Sequence, residues 1–189
     1  MAPSTDSIVL CLMRHAKSGW DDPSLTDHDR PLNRRGRHDA PRMANWLAET
    51  GYLPEVILAS TATRVRETVD GLLSVWTHQP LVLYSEALYM ATPSTLREHI
   101  RCDAITADGR RPKVAMVIAH NPGIGYLVSE LTGRESGMPT AAISVVQCEP
   151  LAADDLEGPR PRRVIAFQRP KDLPGHEVLR GRNQPPSDS

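Results

Sequence analysis

Three continuous apolar runs along the chain are typical of buried parallel β-strands, which are covered on both faces. The runs span residues 8–14, 56–59 and 113–119. His15, Ser60 and His120 follow the three runs directly. Because ligands bind at the carboxyl ends of the strands in α/β proteins, we expect these three side chains to lie at one edge of a sheet.

Between the strands, apolar positions recur at helical spacing over residues 36–50, 62–76, 93–100 and 124–131. Shorter strands are expected at residues 81–84, 142–148 and 164–168. Gly51 is placed to end the first helix, and Thr92 followed by Pro93 opens the third. The alternation predicts an α/β fold, a three-layer sandwich with a mostly parallel central sheet flanked by helices on both faces.

The polar segment over residues 18–37 is too long for an ordinary connection. Loops of more than about 12–15 residues in compact domains are usually functional or disordered. The end of the chain is rich in Pro, Gly, Arg and Ser, which is typical of a mobile tail. We therefore expect a single domain over residues 1–169 and a mobile C-terminal tail over residues 170–189.

Charge and composition narrow the kinds of partner. The net charge of −1 argues against nucleic acid or an anionic membrane, since both favour a basic protein surface. No apolar stretch approaches the roughly 20 residues that span a bilayer, and no secretory signal pattern opens the chain. The 3 cysteines lack metal-ligand spacing and an even count, which favours a reducing cytoplasm. We expect a monomer or weak dimer.

The residues expected at the sheet edge suit a doubly charged anion such as a phosphoryl group. A neutral imidazole at His15 is a competent nucleophile toward phosphorus. A strand-end histidine alone is more often a core residue, but Arg14 beside it is rarely buried without an anion. Arg14, Arg30 and Arg64 are candidate phosphate-binding residues, because a guanidinium donates two parallel hydrogen bonds to phosphate oxygens.

Two further residues are candidates for stabilising the transition state or protonating the leaving group. His120 is expected to donate a hydrogen bond to the phosphoryl oxygens, where negative charge develops. Glu86 follows a short strand and is a candidate general acid for the leaving group. A glutamate in a loop is as often a plain surface residue, so both interpretations of Glu86 stay open.

Competing chemistries lack their motifs. No cysteine is followed six positions later by arginine, and neither the P-loop nor the Gly-x-Gly-x-x-Gly pattern occurs. Acidic side chains and one histidine in the polar segment lack metal-ligand spacing, so we interpret them as a solvated loop without a metal or other cofactor. These residues are Asp21, Asp22, Asp27, His28 and Asp29.

The strand-end elements together resemble the histidine phosphatase superfamily, also called phosphoglycerate-mutase-like, over about residues 7–168. The elements are Arg14-His15, Ser60-Thr61-Ala62-Thr63-Arg64 and His120. Three further stretches are similar to the small bacterial phosphohistidine phosphatases, the SixA-like branch. They are Arg14-His15-Ala16-Lys17-Ser18, Arg30-Pro31-Leu32 and Ala119-His120-Asn121-Pro122.

The resemblance implies that His15 is phosphorylated transiently and that Arg14, Arg64 and His120 complete the phosphate pocket. In the small bacterial branch, an arginine at the position of Arg30 also faces the phosphate. Ala16 stands where many relatives have glycine. The chain also has no room for the acid-bearing insertion of some sugar-phosphate enzymes.

These features predict a metal-independent phosphatase with a phosphohistidine enzyme intermediate, which removes phosphate from phosphohistidine on a protein in signal transduction. An open pocket admits a protein-borne group, and a phosphoramidate needs less help in leaving than an alkoxide. The alternatives are a phosphatase or mutase for sugar or nucleotide phosphates and a non-catalytic phosphate-binding module. A structural domain with coincidental histidines is the remaining alternative.

Overall fold

Six strands and four helices alternate along the part of the chain that the computed structural model describes, residues 7–148 and 162–174. The strands are β1 (Ile8–Arg14), β2 (Val56–Ser60), β3 (Leu81–Ser85), β4 (Val114–Ala119), β5 (Ile143–Cys148) and β6 (Arg163–Gln168). The helices are α1 (Arg34–Thr50), α2 (Thr63–Leu73), α3 (Pro93–Asp103) and α4 (Gly123–Thr132). Short 3₁₀ turns lie at Glu86–Leu88 and Pro170–Asp172.

The strands form one sheet in the order β3-β2-β4-β1-β5-β6. The pairs among β1, β2, β3 and β4 are parallel, and β5 runs antiparallel to both of its neighbours. Side chains alternate along β1, so that Leu10 and Leu12 pack in the cluster with α3 and α4, whereas Cys11 and Met13 pack with α1 and α2. The predicted sandwich with a mostly parallel sheet is confirmed.

The helix ends follow the local sequence signals. The Asn33 side chain caps α1 by accepting from the Gly36 backbone N–H, and Gly51 ends it with φ +77°. The prediction for the second helix was too long, because α2 ends at Leu73 and not at Trp76. The chain leaves the helix there and buries Trp76, whose indole N–H donates to the Ala44 carbonyl at 3.0 Å.

The last described residues contact α1. Arg42 donates hydrogen bonds to the carbonyl oxygens of Leu173 at 3.1 Å and Pro174 at 2.7 Å. The rest of the predicted tail, residues 175–189, lies outside the described residues, and the domain boundary at residue 169 stays a prediction. Within the described ranges, no helix has the length and apolar content to cross a membrane.

Candidate active site

A cavity of about 240 Å³ opens at the carboxyl ends of β1 and β4. The parallel register pairs Arg14 with Ala119, which carries the next residues, His15 and His120, to neighbouring positions. The lining residues are Arg14, His15, Lys17, Ser18, Trp20, Asp27, Arg30, Arg64, Met90, His120, Asn121 and Thr140. The two predicted histidines and all three predicted arginines therefore lie together in this cavity, placed by the ends of β1 and β4, the loop before α1, and α2.

Hydrogen bonds fix the ring of His15, which is only 7% exposed. Its Nδ1 lies 2.7 Å from the carbonyl oxygen of Ala16, which can only accept, so Nδ1 carries the proton. The other nitrogen, Nε2, accepts from Nε of Arg64 at 3.3 Å. The Nε2 lone pair is thus the basic atom of this ring, as a nucleophile requires.

His120 lies beside His15, with 5.0 Å between the ring centroids. Its Nδ1 is 3.2 Å from Nη2 of Arg64, which can only donate, so Nε2 carries the proton and donates to Oγ of Ser60 at 2.9 Å. The hydroxyl of Ser60 therefore holds the N–H that was predicted to face phosphoryl oxygens.

Arg64 joins the two histidines to the long loop between β1 and α1. This side chain, in the first turn of α2, is 2% exposed. Besides His15 and His120, its Nη2 contacts Oδ2 of Asp27 at 2.9 Å, and its Nη1 donates to the Asp27 carbonyl oxygen. These hydrogen bonds, to His15, His120 and two oxygens of Asp27, hold the guanidinium in one orientation.

The other two arginines are held differently. Nη1 of Arg14 donates to the Met138 carbonyl oxygen at 3.0 Å, while its buried Nε has no partner among the described residues. The guanidinium of Arg30 stacks over the ring of Trp20 at 3.6 Å and donates from Nη1 to the Gly19 carbonyl oxygen at 2.9 Å. Each arginine thus enters the cavity wall with a fixed anchor.

The interpretation of Asp27 as part of a solvated loop was wrong. Its Oδ1 accepts from Nε and Nη2 of Arg30 at 3.1 and 2.7 Å, and its Oδ2 accepts from Arg64 and from the hydroxyl of Tyr89 at 2.7 Å. These bonds, with Tyr89 first, hold the pKa of this carboxyl well below its usual range. Tyr89 was missed as well, since its separation of 62 positions from Asp27 gives no sequence signal.

Glu86 lies elsewhere. It is exposed in the 3₁₀ turn after β3 and is not among the residues that line the cavity. Its role as general acid stays a prediction, and its position gives that role no support. Among the described residues, no three His, Cys, Asp or Glu side chains are grouped as metal ligands.

Burial dominates the electrostatics of both histidines. It lowers the pKa of His15 to about 3, and the positive charges of Arg64, Arg14 and Arg30 act in the same direction. The pKa of His120 is lowered to about 3 by burial first and then by His15 and Arg64. Both rings are therefore neutral near pH 7, so Nε2 of His15 is unprotonated, as a nucleophile requires.

We expect the free energy of unfolding to fall as the pH drops from about 6.5 toward 3. In this window an ordinary histidine of pKa 6.5 in the unfolded chain binds a proton, whereas buried His15 and His120, with a pKa of about 3, do not. Each such histidine contributes a slope of up to about 1.4 kcal/mol per pH unit. Urea unfolding across this window, with His120→Gln as the variant of reduced slope, checks the sign; equal slopes would contradict it.

Thr68 supports the site from α2, and sequence reasoning missed it. Its Oγ1 accepts from the Ala16 backbone N–H at 3.0 Å and donates to the Arg64 carbonyl oxygen at 2.6 Å. One hydroxyl therefore ties the residue after His15 to the residue that carries the central guanidinium. A threonine one helical turn after Arg64 is the only signal in the sequence.

Thr68→Val is expected to lower kcat by about tenfold. Valine keeps the shape of the side chain but loses the hydroxyl that accepts from the Ala16 backbone N–H, next to His15. The orphaned Ala16 N–H costs about 1–3 kcal/mol of stability. Thr132→Val is the matched control, since the Thr132 hydroxyl makes the same type of helical bond, to Val128 at 2.7 Å, outside the cavity. Equal losses of kcat in both variants would count against positioning by Thr68.

Comparison with known proteins places the chain in a family. The model of the histidine phosphatase superfamily, branch 1, matches residues 10–86. The chain is 38% identical over 156 residues to an uncharacterized chloroplastic protein of Arabidopsis thaliana, covering 77% of this chain and 69% of that protein. The chain belongs to the histidine phosphatase superfamily, and it is a histidine-nucleophile phosphatase.

Within this superfamily, the chain is similar to SixA proteins. It is 30% identical over 129 residues to phosphohistidine phosphatase SixA of Escherichia coli K12, covering 66% of this chain and 74% of that protein. A crystal structure of SixA from Agrobacterium tumefaciens superposes with a TM-score of 0.70 at 25% identity, covering 86% of this chain and 97% of that one. The resemblance inferred from the strand-end motifs is confirmed.

Proposed function

We propose that this phosphatase removes phosphate from phosphohistidine on a protein, without a metal ion and with His15 as the nucleophile. The observation that carries the proposal is the neutral His15 ring, whose Nδ1–H is fixed by Ala16 while Nε2 lies against Arg64. A nucleophile held in one tautomer beside a cation suits attack on an anionic phosphoryl group.

The reaction runs in two displacements. Nε2 of His15 attacks phosphorus, the bond from phosphorus to the substrate nitrogen breaks, and the leaving imidazole keeps that electron pair and takes a proton from water. A second water molecule then forms a P–O bond as the P–Nε2 bond breaks, which releases inorganic phosphate and a proton. Arg14, Arg30 and Arg64 hold the phosphoryl oxygens, and His120 joins them when its Nε2–H turns from the Ser60 hydroxyl to a phosphoryl oxygen, so the protein contributes mainly position and charge.

The acid–base character of the cavity supports a phosphoramidate substrate. Among the described residues that line the cavity, Asp27 is the only carboxylic acid, and its hydrogen bonds keep it ionised. An alkoxide leaving group finds no proton donor of this type there, whereas an imidazole leaves with little help. The similarity to SixA phosphohistidine phosphatases supports the same substrate class.

The setting of the site supports a protein-borne group in a reducing compartment. Trp20 and Met90, which line the cavity, are 69% and 50% exposed, so its rim is open to a large partner. Cys11, Cys102 and Cys148 are all free thiols. We propose a cytoplasmic enzyme that acts in signal transduction.

Phosphate release from a histidine-phosphorylated carrier protein tests the proposal. The carrier is phosphorylated chemically with phosphoramidate and compared with a sugar phosphate and a nucleoside monophosphate, all in the presence of a chelator. We expect turnover of the carrier to exceed that of both esters. Faster turnover of an ester would assign the enzyme to small phosphate esters, and loss of activity with the chelator would contradict metal independence.

A further inference from the structure

An anionic side chain already occupies the cationic cavity. The Asp27 carboxylate accepts two hydrogen bonds from Arg30, one from Arg64 and one from the hydroxyl of Tyr89. These donors come from the long loop, from α2 and from the segment after β3, so three parts of the fold converge on one carboxylate.

Most N–H groups of Arg30 and Arg64 already donate hydrogen bonds within the protein. Arg30 uses Nε and Nη2 on Asp27 and Nη1 on Ser18 and Gly19. Arg64 uses Nε on His15, Nη1 on the backbone carbonyl oxygen of Asp27, and Nη2 on the Asp27 carboxylate and on His120. A phosphoryl group that binds Arg30 through Nε and Nη2, or Arg64 through Nη2, therefore competes with the carboxylate for the same donor nitrogens.

We propose that Asp27 is a specificity-determining residue, an internal counter-anion that competes with phosphoryl groups for Arg30 and Arg64. This inference rests on the proposed function, because it assumes that the cavity binds the transferred phosphoryl group. The competition weakens the binding of free phosphate and speeds its release. A productive substrate must then gain affinity from contacts beyond its phosphoryl group, which a phosphorylated protein supplies and inorganic phosphate does not.

A purely positioning role for Asp27 predicts the opposite sign. If the carboxylate only holds the two guanidiniums in place, its removal loosens them and weakens phosphate binding. If it competes, its removal frees their donors and removes a negative charge, so phosphate binds more tightly. The sign of the change in phosphate affinity distinguishes the two roles.

Calorimetric titration with inorganic phosphate at neutral pH tests the sign. We expect Asp27→Asn and Asp27→Ala to lower the Kd for phosphate by about tenfold or more, since a like charge next to the site is removed. Asp29→Asn is the control in the same loop, because Asp29 contacts Thr26 and His28 and, within the described part of the chain, no arginine. Thermal unfolding of each variant confirms that it is folded.

An unchanged or higher Kd in both Asp27 variants would overturn the inference. The proposed function is judged separately, by turnover of the histidine-phosphorylated carrier by the unsubstituted protein. If phosphate binds more tightly to the Asp27 variants but the unsubstituted protein does not turn over the carrier, the inference about Asp27 stands and the phosphohistidine substrate is rejected. If the unsubstituted protein turns over the carrier but the Asp27 variants show no gain in phosphate affinity, the phosphohistidine substrate stands and the inference about Asp27 is rejected.

Discussion

His15→Ala is expected to abolish phosphate release, lowering kcat/KM by at least about a thousandfold, because the substitution removes the nucleophile itself. The Nε2 atom that accepts from Arg64 has no counterpart in alanine. Steady-state phosphate release measures the loss. Rapid quenching with a labelled phosphoryl donor measures the second signature, a covalent phosphoenzyme that forms on the unsubstituted protein and is missing in the variant.

His78→Ala provides the matched control for the nucleophile. His78 contacts the Pro54 carbonyl oxygen at 2.9 Å and is not part of the cavity lining, so its removal tests a histidine that takes no part in the chemistry. Equal turnover by His15→Ala and the unsubstituted protein would contradict the proposed role of His15 as nucleophile. A phosphoenzyme that persists in His15→Ala would move the nucleophile to another residue.

Arg64→Ala is expected to produce the second largest loss, about a hundredfold to a thousandfold in kcat. Electrostatic donors aimed at a developing oxyanion contribute on this scale. Arg64 contacts His15, His120 and Asp27 at once, so its loss also releases both imidazole rings. Arg64→Lys is expected to recover little, because an ammonium cannot donate two parallel hydrogen bonds.

Chemical rescue separates the missing charge from a misfolded site. Added guanidine is expected to restore part of the activity of Arg64→Ala, while ammonium at the same concentration is not. Arg66→Ala, on the exposed side of the same helix, is the control and is expected to keep full activity. Loss of activity in Arg66→Ala equal to that in Arg64→Ala would show that the effect belongs to the helix and not to the cavity.

The strand ends explain how much of the site the sequence could predict. The apolar runs fixed the positions of Arg14, His15 and His120, because buried parallel strands of similar length deliver their next residues to one edge. Arg64 followed from its place in the first turn of the next helix. The periodicity of apolar residues predicts where strands and helices begin and end, and each of these residues lies at or next to such an end.

The loop contributions could not be predicted in this way. The path of residues 18–33 depends on which donors Asp27 finds, and these lie 3, 37 and 62 positions away in Arg30, Arg64 and Tyr89. No periodic pattern links such positions. Composition alone favoured a solvated loop, whereas the charge of the arginines on the neighbouring elements draws Asp27 into the cavity wall.

The stacking of Trp20 on Arg30 places an intrinsic fluorophore at the cavity. The chain has 3 tryptophans, and Trp20, at 69% exposure, is the one whose ring lies under a cavity guanidinium, 3.6 Å away. Any ligand that draws Arg30 away from Asp27 changes the field across this indole. We therefore expect ligand binding to change the tryptophan emission of the unlabelled protein.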